Sequence, residues 1–260
     1  MKQPNVSGSF YPKEPKQLAA MVHGFLSAVT ASGNPWAIVA PHAGYVYSGA
    51  TAAYAYKLLE GKKYKNVFIL SPSHHFPFQG AGILIEDCYQ TPLGKIPINQ
   101  HICATLGESP AFADLPNVFE REHALEVQLP FLQTVLPDFS LIPIIIGQST
   151  YPTLQSIADT LKPYQAPENL FVISTDLAHF HSGKENDALD QKTLEYIQKG
   201  DPKKLLETAC ELCGIYPMVV AMLMTELPFV HLKHSNSGDV TQDYREVVGY
   251  AAGYFPRAKE

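Results

Sequence analysis

Four short, unbroken apolar runs, at residues 36–40, 67–70, 141–146 and 170–174, constrain the fold of this chain more than anything else in it. Each has the length of a strand, and none alternates polar with apolar as a strand with one wet face does. Such a strand is covered on both faces, which is the pattern of a parallel sheet between helical layers. Segments of helical character separate the runs: 48–59 with Ser48 as N-cap, 99–106, 122–136 bent at Pro130, and 153–161. Further helices are expected over 185–199, 201–212 and 216–227, broken at Gly200-Asp201-Pro202 and around Gly214 to Pro217. Residues 81–85 read as a strand and the flanks of Thr91-Pro92-Leu93-Gly94-Lys95 as a hairpin, with closing strands at 229–234 and 247–255. No repeat or composition shift marks a boundary. The expected fold is therefore a single α/β domain over 1–260, with a central mixed, largely parallel sheet flanked by helices.

Charge and hydropathy exclude several classes of function. Nineteen lysines and arginines stand against 25 acids, a net charge of −6, and no basic stripe offers a phosphate-backbone footprint. Lys62-Lys63-Tyr64-Lys65 reads as a solvated turn before a strand, so no nucleic-acid partner is expected. The longest apolar stretch, Met218 to Met224, falls short of the roughly 18 residues a membrane span needs. The opening MKQPNVSGSFYP has no apolar signal core, so a cytoplasmic location is expected, away from membranes. Cys88, Cys103, Cys210 and Cys213 are too few for a disulfide scaffold in 260 residues.

The informative residues lie just after strands. His42 follows the run at 36–40, His74 and His75 follow 67–70, and Asp176 and His179 follow 170–174. In an open parallel sheet those ends share one edge, where ligands bind. Residues remote in sequence then converge, and neutral imidazoles gathered in this way suit zinc, copper or iron. Cys213 is the candidate thiol. It sits at the end of the expected helix 201–212, where Gly214 permits a left-handed turn. Cys210 fits the core better, and Cys88 and Cys103 read as structural. Glu122 and Glu126 suit the first turn of the helix expected over 122–136. Tyr45 and Tyr47 can present hydroxyls to a ligand or pack with only their polar tips exposed.

The segments SGSFYP, APHAGYVYSG, ILSPSHH, EHALEVQLPFLQ, VISTDLAHF, LCGIYP and GYAAGYF occur in the order found in the Memo family. From Ser7 to Phe255 the chain resembles that family, whose bacterial and archaeal branch is known as AmmeMemoRadiSam system protein B. The resemblance implies a fold like that of the class III extradiol dioxygenases, in which two histidines and a glutamate hold non-haem Fe(II). In Memo-like proteins a cysteine replaces the glutamate. The implied ligands are His42, His74 and Cys213, with Asp176 and His179 as catalytic neighbours. Tyr45, His75 and His123 are the candidate substrate-binding residues, the last also from its place in the family block. Iron(II) is the metal expected, with copper or zinc as alternatives.

Two imidazoles and a thiolate leave a coordination position open, as catalytic sites do. The thiolate shifts preference towards softer metals and argues against plain extradiol ring cleavage. Asp176 suits orientation of a ligand histidine or a water, and His179 suits proton transfer. The expected activity is a metal-dependent oxidoreductase acting on an unassigned small molecule or peptide. The alternative is an adaptor whose crevice takes a peptide or anionic ligand. The resemblance also implies association with AMMECR-domain and radical S-adenosylmethionine proteins.

Overall fold

A computed structural model describes residues 1–208 and 210–258. The chain opens with helix α1 (Pro15–Ser27), strand β1 (Pro35–Ala40), helix α2 (Tyr45–Lys57) and strand β2 (Asn66–Pro72). Strand β3 (Ala81–Ile83), the hairpin β4 (Cys88–Thr91) and β5 (Gly94–Pro97), helix α3 (Gln100–Leu106) and strand β6 (Phe112–Asp114) come next. Helix α4 (Leu129–Val135) leads into β7 (Ser140–Ile146), α5 (Tyr151–Leu161) and β8 (Asn169–Ser174). The remainder holds β9 (His179–His181), α6 (Gly183–Lys199), α7 (Pro202–Glu207), α8 (Ile215–Met224), β10 (Val230–Asn236), α9 (Gly238–Thr241) and β11 (Val247–Pro256).

Among the described residues, nine strands form one mixed sheet in the order β10-β11-β1-β8-β2-β7-β3-β6, with β9 added on β11. The four apolar runs are its four central strands. β1, β8, β2 and β7 lie side by side and parallel, and β1 and β8 are buried at every position. Antiparallel β11 and β10 extend one side, and antiparallel β3 joins β7 on the other. The chain steps from β1 through α2 to β2, then returns from β7 through α5 to β8. Right-handed crossovers made in opposite directions put their helices on opposite faces. Accordingly α2 packs on β1 and β11, while α5 packs on α8, which itself covers β2 and β8. Ile38, Phe68, Ile142 and Phe171 are shut from solvent between these layers. Burying a side chain of this kind contributes roughly 1.5–3 kcal/mol.

Several boundaries differ from the sequence pattern. α2 begins a turn early, with Gly44 as N-cap, and Ser48 inside it donates its hydroxyl to the Ala43 carbonyl at 2.9 Å. The helix expected over 122–136 does not start at Glu122: a 3-10 turn covers Glu126–Gln128, and α4 then runs only over Leu129–Val135. Pro130 sits in the first turn of α4, where its missing N–H costs nothing, rather than bending a longer helix. The helix expected over 201–212 ends as α7 at Glu207, and residue 209 within that span lies outside the described residues. No described helix is long and apolar enough to cross a membrane.

Register sets the position of the candidate residues. Ala40 lies beside Ser174, and Leu70 beside Ile173. His42, His74 and Asp176 each come two residues after the end of a parallel strand, so they leave the sheet at one edge.

Candidate metal centre

His42 is buried and held at three atoms. Its backbone N–H donates to Asp176 Oδ1 at 2.7 Å, which locks the loop after β1 to the loop after β8. Its ring Nδ1 lies 2.8 Å from Ser174 Oγ, and its Nε2 lies 3.1 Å from Cys213 Sγ. The Ser174 hydroxyl donates to the Ala124 carbonyl at 2.7 Å and accepts from Gln128 Nε2 at 2.8 Å. With its one proton committed, Ser174 can only accept from His42. Nδ1 therefore carries the ring proton, and Nε2 presents a lone pair to the thiol. Burial, and next the charge of His74, push the His42 pKa well below its ordinary value, so the ring is neutral.

His74 is arranged in the same way by a different partner. Its backbone N–H donates to Glu122 Oε2 at 2.7 Å, and its Nδ1 lies 2.8 Å from Glu122 Oε1. A carboxylate behind one imidazole nitrogen leaves the other free for a metal and raises its basicity. Burial pushes the Glu122 carboxyl up, but the hydrogen bond and charge of His74, with the Ala124 and His74 backbone N–H groups, outweigh it. They hold the carboxyl at about 2. Glu122 is thus not the helix-dipole residue expected from sequence; the chain there is a loop, and the carboxylate is buried behind a histidine.

His123 stacks on His74, with ring centroids 4.7 Å apart, and meets the His42 ring edge-on at 5.4 Å. One nitrogen from each of His42, His74 and His123 lies within 4.8 Å of the others, close enough for one ion. Burial, and next the charge of His42, bring the His123 pKa down to about 4. The residue given a substrate-facing role thus stands in this group where Cys213 was expected; the Cys213 sulfur is not among the three mutually close donors.

Cys213 comes from an unexpected local structure. It does not end a helix; it lies one residue before Gly214, the N-cap of α8. Gly214 has φ −89°, so left-handed freedom is not what it supplies. A Cβ there would lie 2.5 Å from both the Ser174 carbonyl oxygen and Thr175 Cβ. Only glycine lets α8 start so close to the end of β8 and bring the thiol to His42. The Asp176 N–H donates to Cys213 Sγ at 3.1 Å. Burial, and next the charge of Asp176, push the thiol up, so without a metal it keeps its proton.

A crevice of about 510 Å³ adjoins this cluster through His123 and Asp176; His179, Phe10, Tyr47 and Phe180 also line it, whereas His42, His74 and Cys213 do not. Asp176 is buried at its base, and burial raises its carboxyl against the pull of the His42 N–H. His75 is exposed at the margin, its ring 6.4 Å from both His74 and His123. Tyr45 does not reach the crevice. Its ring packs on Tyr11 and Phe131, and its hydroxyl donates to the Val127 carbonyl at 2.6 Å, so its polar tip is already satisfied. Tyr47, two positions further along α2, lines the crevice instead, together with Tyr250.

Glu126 holds the crevice margin. Its buried carboxylate accepts from the backbone N–H of Asn5 and Val6 and from the hydroxyls of Tyr11 and Tyr89. These bonds pin the N-terminal segment that places Phe10 over His123, ring to ring at 4.7 Å. Spacing alone gives no sign that Ser174, Gln128, Glu122 and Glu126 belong to the site. Ser174 lies in the block VISTDLAHF, Gln128 and Glu126 lie in EHALEVQLPFLQ, and Glu122 opens that second block. Nearness to candidate ligands in those blocks is the signal that could have found them.

A second group, Asp187, Asp190 and His234, also brings ligand atoms within 4.8 Å. Hydrogen bonds already account for it. Asp190 accepts from Ala178 N–H, Asn186 Nδ2 and His234 Nε2, and Asp187 accepts from Asn236. The group fastens α6 to β10 and to the loop that carries Asp176.

Fold and site together define an α/β protein with a cluster of imidazoles and one thiol at the C-terminal edge of its parallel strands. The family model described as Memo-like protein matches residues 2–254, and the chain belongs to that family. A MEMO1 family protein of Thermotoga neapolitana is 33% identical, covering 96% of this chain and 98% of the relative. One from Thermoplasma acidophilum is 32% identical over 96% of this chain and 97% of its own. Among solved structures, an uncharacterized protein from Escherichia coli K12 aligns with TM-score 0.46 and 12% identity, covering 71% of this chain and 85% of that one.

Proposed function

We propose that this protein binds one transition-metal ion through His42, His74 and Cys213 and acts as a metal-dependent oxidoreductase on a ligand held in the crevice. The supporting observation is the state of the donors. Ser174 and Glu122 occupy the outer nitrogens of His42 and His74, so both rings direct their lone pairs inward, and Cys213 Sγ stands 3.1 Å from His42 Nε2. Two imidazoles and one ionisable thiol fit iron(II), with copper or zinc as competitors. Once bound, such an ion supplies Lewis acidity and, for iron or copper, one-electron chemistry.

The chain's own residues do the remainder. His42 Nε2 accepts a hydrogen bond from the Cys213 thiol while the site is free and gives up that contact when the thiol ionises. Asp176 holds the His42 loop and lies at the base of the crevice. His179 lines the crevice beside it and is the proposed proton carrier to a ligand. His123, neutral down to about pH 4, either joins the ligand set or meets the substrate.

The adaptor reading for an anionic ligand has less support, because no lysine or arginine lines the crevice among the described residues. Metal analysis of anaerobically purified protein tests the proposal. One equivalent of iron or copper is expected in the wild type, with loss in His42→Ala and Cys213→Ala and retention in His75→Ala. Full metal content in both ligand variants would refute it.

A further inference from the structure

The crevice beside the metal centre has a chemical character that the donor set does not dictate. Phe180 and Gln242 are the two non-glycine residues with positive φ among the described residues, at 64° and 59°. Phe180 lines the crevice, and Gln242 lies between two other lining residues, Thr241 and Asp243. A bulky side chain held in the left-handed region carries a strain cost. Phe180 recovers little of that by packing, because 70% of it is exposed. Tyr47, another lining residue, is 44% exposed. Two aromatic faces are thus held open to solvent at the mouth of the site.

No fixed positive charge lies among the lining residues themselves, although Arg245 stands between Asp243 and Glu246 in the chain. The ionisable lining residues include the acids Asp176, Asp243 and Glu246 and the histidines His123 and His179, with no lysine or arginine among them. Asp243 is occupied by the Arg245 guanidinium, at 2.6 Å. Glu246 is exposed and forms no ion pair among the described residues. An aromatic face attracts a cation as well as an apolar surface, and a nearby carboxylate adds to that attraction.

We infer that the crevice selects a small organic cation, its flat apolar part against Phe180 and Tyr47 and its protonated amine directed to Glu246. This deepens the reading of the crevice as the working site, but it does not require that a metal be bound. The experiment compares three ligands of one shape, 2-phenylethylamine, 2-phenylethanol and phenylacetate, by calorimetric titration of metal-free and metal-loaded protein.

The amine is expected to bind at least about fivefold tighter than the alcohol, as one partly exposed ion pair with cation–π support allows. Phenylacetate is expected to bind weakest to the metal-free protein. Glu246→Gln should remove the preference for amine over alcohol while leaving alcohol binding unchanged. Phe180→Ala should weaken amine and alcohol alike. Equal or tighter binding of phenylacetate to the metal-free protein, absence of binding by all three, or an unchanged preference in Glu246→Gln would overturn the inference. A capped lysine peptide binding tighter than the free amine would overturn its small-molecule part. Amine selection by metal-free protein, alongside full metal retention in His42→Ala, would separate this result from failure of the metal reading.

Discussion

His42 Nε2 and Cys213 Sγ stand 3.1 Å apart although 171 positions of chain separate them. The approach depends on β1 and β8 lying parallel and adjacent, and on α8 starting against the end of β8. The thiol is raised by burial and by Asp176, so in the metal-free protein it is protonated and shares its proton with a bare imidazole nitrogen.

That sharing has a measurable consequence. A metal held by His42 and Cys213 would take the thiol as thiolate, so its affinity would rise with pH as the thiol proton is released. Competition titration with a chromogenic chelator under nitrogen should give an affinity increase of about tenfold per pH unit between about pH 6 and 8. Cys213→Ala should lower affinity by at least about 100-fold and flatten the slope. A slope unchanged in the variant would show that the displaced proton comes from elsewhere.

Ser174 determines which His42 nitrogen is bare. Long-range proton–nitrogen NMR on metal-free protein should find His42 with its proton on Nδ1. In Ser174→Ala, Gln128 Nε2, the Ala124 carbonyl and His42 Nδ1 all lose a partner. The variant should be less stable by about 1–3 kcal/mol. Its His42 should show mixed tautomers, and metal affinity should fall roughly 10- to 100-fold. A merely structural role would lower stability and leave both tautomer and affinity in place.

Much of this arrangement is legible in the chain, and the reason is periodicity. Runs such as 141–146 and 170–174 are apolar without alternation, which marks them as central parallel strands and puts the residues just past their ends on one edge. Ser48, Glu122 and Cys213 depart from local expectation for a common reason. Local rules put Ser48 at a helix start, Glu122 in a first turn and Cys213 at a helix end. The observed positions of Glu122 and Cys213 are set by contacts far along the sequence, between Glu122 and His74 and between Gly214 and Ser174. Ser48 lies inside α2 because the helix starts where Tyr45 N–H reaches back to the Phe10 carbonyl. Tyr45 and Tyr47 could not be told apart from spacing, because the start of α2 decides which of them faces the core.

Gly214 should tolerate nothing larger. The Cβ of Gly214→Ala would meet the Ser174 carbonyl and Thr175 Cβ at 2.5 Å, contacts with backbone and a buried branch point that cannot swing away. The helix start must shift, at an expected cost of about 1–3 kcal/mol in thermal or urea unfolding. The shift carries Cys213 with it, so metal affinity should fall in the variant even where it remains folded. Gly200→Ala, at an open position with φ +70°, is the control: it strains the backbone but leaves affinity unchanged. Equal metal affinity in Gly214→Ala and wild type would show that the close approach serves packing alone.

Glu122 links the site to acid stability. Its carboxyl titrates ordinarily near 4.5 and is held at about 2 in the folded protein. The unfolded chain therefore binds the proton more readily. The stabilisation is complete above about pH 4.5 and is lost as pH falls through the folded value, near 2. For a buried carboxylate the shift corresponds to something on the order of 3 kcal/mol. Glu122→Gln keeps the shape but puts an amide where two carboxylate oxygens accept from the His74 backbone, the His74 ring and the Ala124 N–H. One of those donors then faces another donor. The variant should be less stable at pH 7 and should lose less stability than wild type between about pH 4.5 and 3, as urea unfolding at each pH reads directly. Parallel pH profiles would mean that the Glu122–His74 pair contributes nothing to folding and serves only to direct the imidazole.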